Sequence, residues 1–234
     1  MTRLCALVPL LLLALDAGAA EPAVAPSICF GTAHHGQLAH GVALPESGAN
    51  FETFSSVASK LGRTHVHSTV AAIVVDAYAA LATELPDRRF VYGEASRTEG
   101  GPMQPHRTHQ NGTSVDFMVP VLDAAGKPAP LPISMFNKLG YGLEFDASGQ
   151  LDDLRIDFVA VGAHLVALDR AARKHGSAMR RVIFAPELIA RLKTTPSWPY
   201  LEQHITFMKG KPWIRHDEHY HVDFAVACQP MPKR

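Results

Sequence analysis

The sequence predicts one domain of the α+β class. Apolar residues recur at helical spacing in two segments, several shorter segments alternate in the manner of strands, and no repeat, low-complexity tract or linker divides the chain. With 234 residues and 47% apolar content, the chain is long enough to bury a substantial core.

The expected domain spans residues 20–234, because the first nineteen read as a leader. Arg3 supplies a minimal positive start, Leu4 to Leu15 is uncharged and apolar, and Ala17-Gly18-Ala19 fits a small-x-small cleavage site. That pattern is a secretory signal peptide, too short to span a membrane as an anchor, and Cys5 lies too early for lipid attachment. The expected product is a soluble exported protein. Lys plus Arg and Asp plus Glu both number 22, and the leader removes one of each sign, so charge gives no argument for nucleic-acid or membrane binding. Cys29 and Cys228 remain, one near each end. An even count in an exported protein favours a disulfide, with two free thiols as the alternative.

Residues 21–59 are rich in Gly, Ala, Pro and Ser and read as irregular; His34, His35 and His40 there read as solvated. Val66, Val70, Ile73, Val74, Ala77 and Leu81 mark a helix from about His67 to Leu85, stopped at Pro86, with His65 and His67 in its entry loop. Phe90-Val91-Tyr92-Gly93 reads as a strand, Ser114 to Val121 as another, and the segment 123–149 as loop with a hairpin. A second helix is expected over Phe158 to Lys174 with Gly176 as its stop, then a strand over Arg181 to Phe184. A short helix over Pro186 to Lys193 follows, with proline in its first turn.

Two stretches carry chemistry. The first is His106-Arg107-Thr108-His109-Gln110-Asn111-Gly112-Thr113-Ser114-Val115-Asp116. Val115, Phe117, Val119 and Val121 mark the apolar face of its strand, so Asp116 points to the other side, beside a histidine brought round by a turn at Gly112. The second is His216-Asp217-Glu218-His219-Tyr220-His221-Val222-Asp223-Phe224, where strand alternation puts His219, His221 and Asp223 on one face. A His-x-His pair on a strand suits one metal ligand beside one acid/base group, or two ligands; alone it also fits a solvated polar loop. Together, His109, Asp116 and a histidine of the second stretch give the His₂-carboxylate set of a catalytic zinc with one position open. Spacing leaves open a metal-binding module without catalysis.

These residues resemble the penicillin-insensitive murein endopeptidases, part of a wider group of zinc peptidases that includes D-Ala-D-Ala carboxypeptidases, lysostaphin-like enzymes and the hedgehog signalling domain. The matching text is Gly100-Gly101-Pro102-Met103, His106, His109-Gln110-x-Gly112-x₃-Asp116, and Trp213-x₂-His216-Asp217-x-His219-x-His221-Val222. Weaker likeness runs through Cys29, Ala43-Leu44-Pro45 and the helix after His67.

The resemblance implies a central antiparallel sheet flanked by helices, zinc held by His109, Asp116 and His221, and His219 as the base. It makes His106 and His216 accessory, His106 near or on the metal and His216, if protonated, an oxyanion stabiliser. The implied substrate is the peptide cross-link of peptidoglycan, typically the D-alanyl-diaminopimelate bond, in the periplasm. Arg97 and Arg107 are candidates to pair with stem-peptide carboxylates. A D,D-carboxypeptidase, an amidase, or an inactive exported zinc-binding module remain alternatives. Two departures stand out. Asp157 is followed three residues on by Ala160, where some relatives carry Asp-x-x-His, and Ser114 stands where the family often has Asp.

Overall fold

The computed structural model describes residues 25–233; the expected leader lies outside them. Its centre is a five-stranded sheet in the order Met179–Ile183, His219–Phe224, Ser114–Met118, Phe90–Tyr92, Phe51–Thr53. Neighbours run antiparallel, as expected of the central sheet, except the last pair, which is parallel.

The register of the two middle strands sets everything that follows. His221 lies opposite Asp116 and Asp223 opposite Ser114, while Val222 lies opposite Val115 and Tyr220 opposite Phe117. Directly paired residues share a face. One face therefore collects the aspartates and histidines, and the other collects valine and aromatic side chains. Helices Ser68–Glu84 and Phe158–Lys174 pack against each other and cover the apolar face, where Val70, Ile73, Val74, Leu165 and Leu168 join Val115, Phe117, Tyr220 and Val222 in one core. Both helices lie within a residue or two of the sequence expectation. His67 caps the first, its Nδ1 accepting from the Thr69 amide at 3.1 Å, and Asp157 caps the second, accepting from the Ala160 amide at 3.1 Å.

Two expectations are corrected. Residues 21–59 are not wholly irregular: Ile28–Thr32 and His35–Ala39 form a hairpin, Phe51–Thr53 is the sheet edge, and Ser56–Lys60 is a short helix. The hairpin turn is Ala33-His34, without the Asn-Gly chemistry that makes such turns legible. The strand read as Ser114 to Val121 breaks at Val119-Pro120, and Val121–Leu122 joins a separate four-stranded sheet; proline has no N–H to continue the ladder. A short helix at Trp198–His204 was not anticipated.

Cys29 and Cys228 are disulfide-bonded across 199 positions of sequence. The bond ties the hairpin to the segment after the last strand, where the Gln229 amide donates to the Cys29 carbonyl at 2.8 Å. Among the described residues, no helix is long and apolar enough to cross a membrane.

Candidate metal centre

The polar face of the sheet is closed over by the loop carrying His106 and His109, the Tyr141 loop and the segment leading into His219. Gly112 has φ 74°, and a side chain there would collide with Leu38 and the His67 amide, so the turn requires glycine. His109 itself adopts φ 67°, a left-handed conformation that costs roughly 1–2 kcal/mol for a residue with a Cβ. That local cost is borne at the residue whose ring is turned onto Asp116.

Asp116 is fully buried, and its two oxygens divide the surrounding groups. Oδ1 lies 2.8 Å from His221 Nδ1 and 3.2 Å from His109 Nε2. Oδ2 accepts from the Tyr141 hydroxyl at 3.0 Å and lies 3.8 Å from both His106 Nδ1 and His219 Nε2. His109 is wholly enclosed, yet its Nδ1 has no partner and its Nε2 has only the 3.2 Å approach to Asp116 Oδ1, too poorly aimed to be a hydrogen bond. Buried polar atoms are nearly always satisfied, so an imidazole orphaned beside a carboxylate fits a site built for a cation. The ligand atoms of His106, His109 and Asp116 lie within 4.8 Å of one another, a group able to hold a metal ion.

Carboxylates and carbonyls behind the rings orient them. His221 Nε2 contacts Asp223 at 2.8 Å, and Asp223 in turn accepts from Ser114 Oγ at 2.7 Å and Arg181 Nε at 3.0 Å. Ser114 thus supports the aspartate behind His221. His106 Nε2 bonds Glu94, which also pairs with Arg63. His219 Nδ1 contacts Glu218 at 2.9 Å, and His216 Nδ1 donates to the Ile214 carbonyl at 2.8 Å. Such partners fix ring orientation and tautomer in metal sites.

The electrostatics follow from this layout. Burial works against the Asp116 charge, but the histidines around it hold its carboxyl well below the usual range. Burial lowers His221, yet Asp223 and Asp116 outweigh it and push the ring up to about 10. Burial likewise lowers His219, and Asp116 with Glu218 reverses the sign to a net rise. Burial and the His219 ring push His216 down to about 3. A cation on Asp116 would cancel part of the upward pull on His219 and reinforce the downward one on His216.

His106, His109, Asp116, His216, His219 and His221 all converge here. Arg107 lines the groove of about 720 Å³ at the mouth, with its guanidinium 5.7 Å from the Trp213 ring; His106, Gln110 and Ile214 are also in its walls. Arg97 is exposed and does not line it. Asp157 is occupied by its capping role and by Arg88 at 2.8 Å. Sequence reading missed Glu94, Glu218 and Tyr141. Glu218 adjoins His219 in the chain, a signal that was available; Glu94 and Tyr141 come from segments with no motif of their own.

Fold and site together define a mixed α/β domain with a histidine–aspartate centre able to hold a metal, beside a groove that His106 also lines. The family model for penicillin-insensitive murein endopeptidase matches residues 29–232, and the chain belongs to that family. Membership makes it a hydrolase of the murein-cleaving class. No curated protein matches the chain.

Proposed function

We propose that the protein is an exported zinc peptidase that cleaves the D-alanyl-diaminopimelate type of cross-link in peptidoglycan. The observation that carries the metal reading is His109, fully buried beside Asp116 with no well-aimed hydrogen bond at either ring nitrogen. Export to the periplasm fits the disulfide and a murein substrate. His109, Asp116 and His221 would hold the ion through the groups that gather at Asp116 Oδ1, with His106 available as a further donor. Histidine and carboxylate together suit zinc. Bound zinc would polarise a scissile carbonyl and make a water nucleophilic near neutral pH.

The rest falls to the chain's own residues. His219 Nε2 lies 3.8 Å from Asp116 Oδ2, close enough to serve as a base beside an ion held there. Glu218 holds its Nδ1, leaving Nε2 to take a proton from the nucleophile and return it to the leaving amine, a role worth roughly 10²–10⁴-fold. For His216, expected to stabilise an oxyanion only if protonated, the ring's surroundings support the neutral form. Its ring is neutral near pH 7, and with Nδ1–H given to Ile214 its Nε2 is an acceptor. Arg107 at the groove mouth is placed to meet a stem-peptide carboxylate.

The test is incubation of purified protein with cross-linked muropeptides. Conversion of dimer to monomer, abolished by chelator, restored by zinc and unaffected by β-lactam, is the expected result. Loss of terminal D-Ala alone would mark a carboxypeptidase, and zinc binding without turnover would mark a binding module.

A further inference from the structure

Tyr141 belongs to neither histidine block, yet its hydroxyl sits inside the centre. It donates to Asp116 Oδ2 at 3.0 Å and accepts from the Glu94 amide at 2.8 Å. The ring stands edge-on to His219 with centroids 5.0 Å apart, to His106 at 5.9 Å and, on its outer side, to Phe54 at 5.9 Å.

A second observation points to the same hydroxyl. A Cβ at Gly93 would fall 2.5 Å from the Tyr141 oxygen and 3.2 Å from Asp116 Cβ. Gly93 does not have the positive φ that would demand glycine. What excludes a side chain there is the space taken by the phenol. Gly93 also donates its amide to the Asp116 carbonyl at 2.7 Å, so one short stretch of backbone holds Asp116 and makes room for the group that turns its carboxylate.

A carboxylate free to rotate offers a cation either oxygen, or both. With Oδ2 bonded to Tyr141, Oδ1 is the oxygen left to His109 and His221. We propose that Tyr141 is a positioning residue. Its hydroxyl, seated over Gly93 and the Glu94 amide, fixes Asp116 so that a single oxygen is presented to the metal together with His109 and His221. This rests on the metal-centre reading above. It adds a residue whose substitution changes metal affinity without removing a ligand.

The experiment is chelator competition for zinc on the purified protein, its Tyr141→Phe and Gly93→Ala variants and the double variant, with thermal unfolding of each metal-free form. Tyr141→Phe deletes one oxygen and keeps the ring packing; its zinc Kd should rise about 10–100-fold while metal-free unfolding stays close to that of the parent. Gly93→Ala keeps the tyrosine but crowds its hydroxyl, and should weaken zinc in the same direction. The double variant should be no weaker than the worse single one within about twofold, because both changes act on one contact. At saturating zinc, Tyr141→Phe should lower kcat with KM unchanged. Parent-like zinc affinity in Tyr141→Phe, or losses that multiply in the double variant, would overturn the proposal. Should Gly93→Ala fail to fold, Tyr141→Phe alone decides. A parent that binds no zinc removes the metal-centre reading itself, whereas equal binding by parent and Tyr141→Phe removes only this inference.

Discussion

His109 and His164 lie on opposite faces of the same central strands, and both are completely buried with a ring nitrogen unpartnered. Around His164 stand Tyr78, Phe90, Phe117 and Tyr220, and its Nδ1 bonds the Tyr220 hydroxyl. Burial drives its pKa down to about 3, which keeps the ring neutral in an aromatic setting. Around His109 stand a buried carboxylate and the rings of His106 and His221, 4.7 and 4.6 Å away between centroids. An orphaned nitrogen therefore does not make a site. A carboxylate and further imidazoles turned onto the same point do, and the His219–Phe224 strand serves both situations by alternation.

The largest effect that would sharpen this contrast lies on the polar face. His221→Ala should lose zinc and turnover together. His219→Ala should keep its zinc and fold yet lose about 10²–10⁴ in kcat, measured on cross-linked muropeptides with metal content determined in parallel. If His219→Ala is metal-free while His221→Ala retains zinc, the two roles must be exchanged.

A smaller effect belongs to the apolar face. His164 has a folded pKa of about 3 against roughly 6.5 unfolded, so between those values the unfolded chain binds the extra proton. Its contribution to stability is complete above about pH 6.5 and is lost as pH falls toward 3. His221 in the metal-free protein has the opposite sign: raised to about 10, it stabilises fully below about pH 6.5 and loses that contribution as pH climbs through 10. Urea unfolding of metal-free protein at pH 7 and pH 5 should show His164→Phe losing roughly 2 kcal/mol less than the parent between the two. An unchanged difference would mean that His164 is not held neutral.

Much of this arrangement is legible in the sequence because strand alternation is a strict geometric rule. Once Asp116 and His221 are placed on strands, their side-chain faces follow, and pairing the strands brings them opposite each other. The two long helices are equally readable, since their apolar spacing, Pro86 after the first and Gly176 beyond the second agree. The groups that finish the site are less visible. Glu94 reaches His106 from twelve residues away and Tyr141 reaches Asp116 from twenty-five, through tertiary packing that no local period records. The N-terminal hairpin was hidden for a different reason: its strands are short and its turn lacks the usual residues.

The proposed seat of the metal is the centre at His109, and not the buried histidine behind the sheet. Zinc per chain after exhaustive dialysis, measured for His109→Ala and His164→Phe side by side, tests it most directly. About one zinc is expected in His164→Phe, as in the parent, and essentially none in His109→Ala. Full zinc retained by His109→Ala, or zinc lost from a folded His164→Phe, would contradict it.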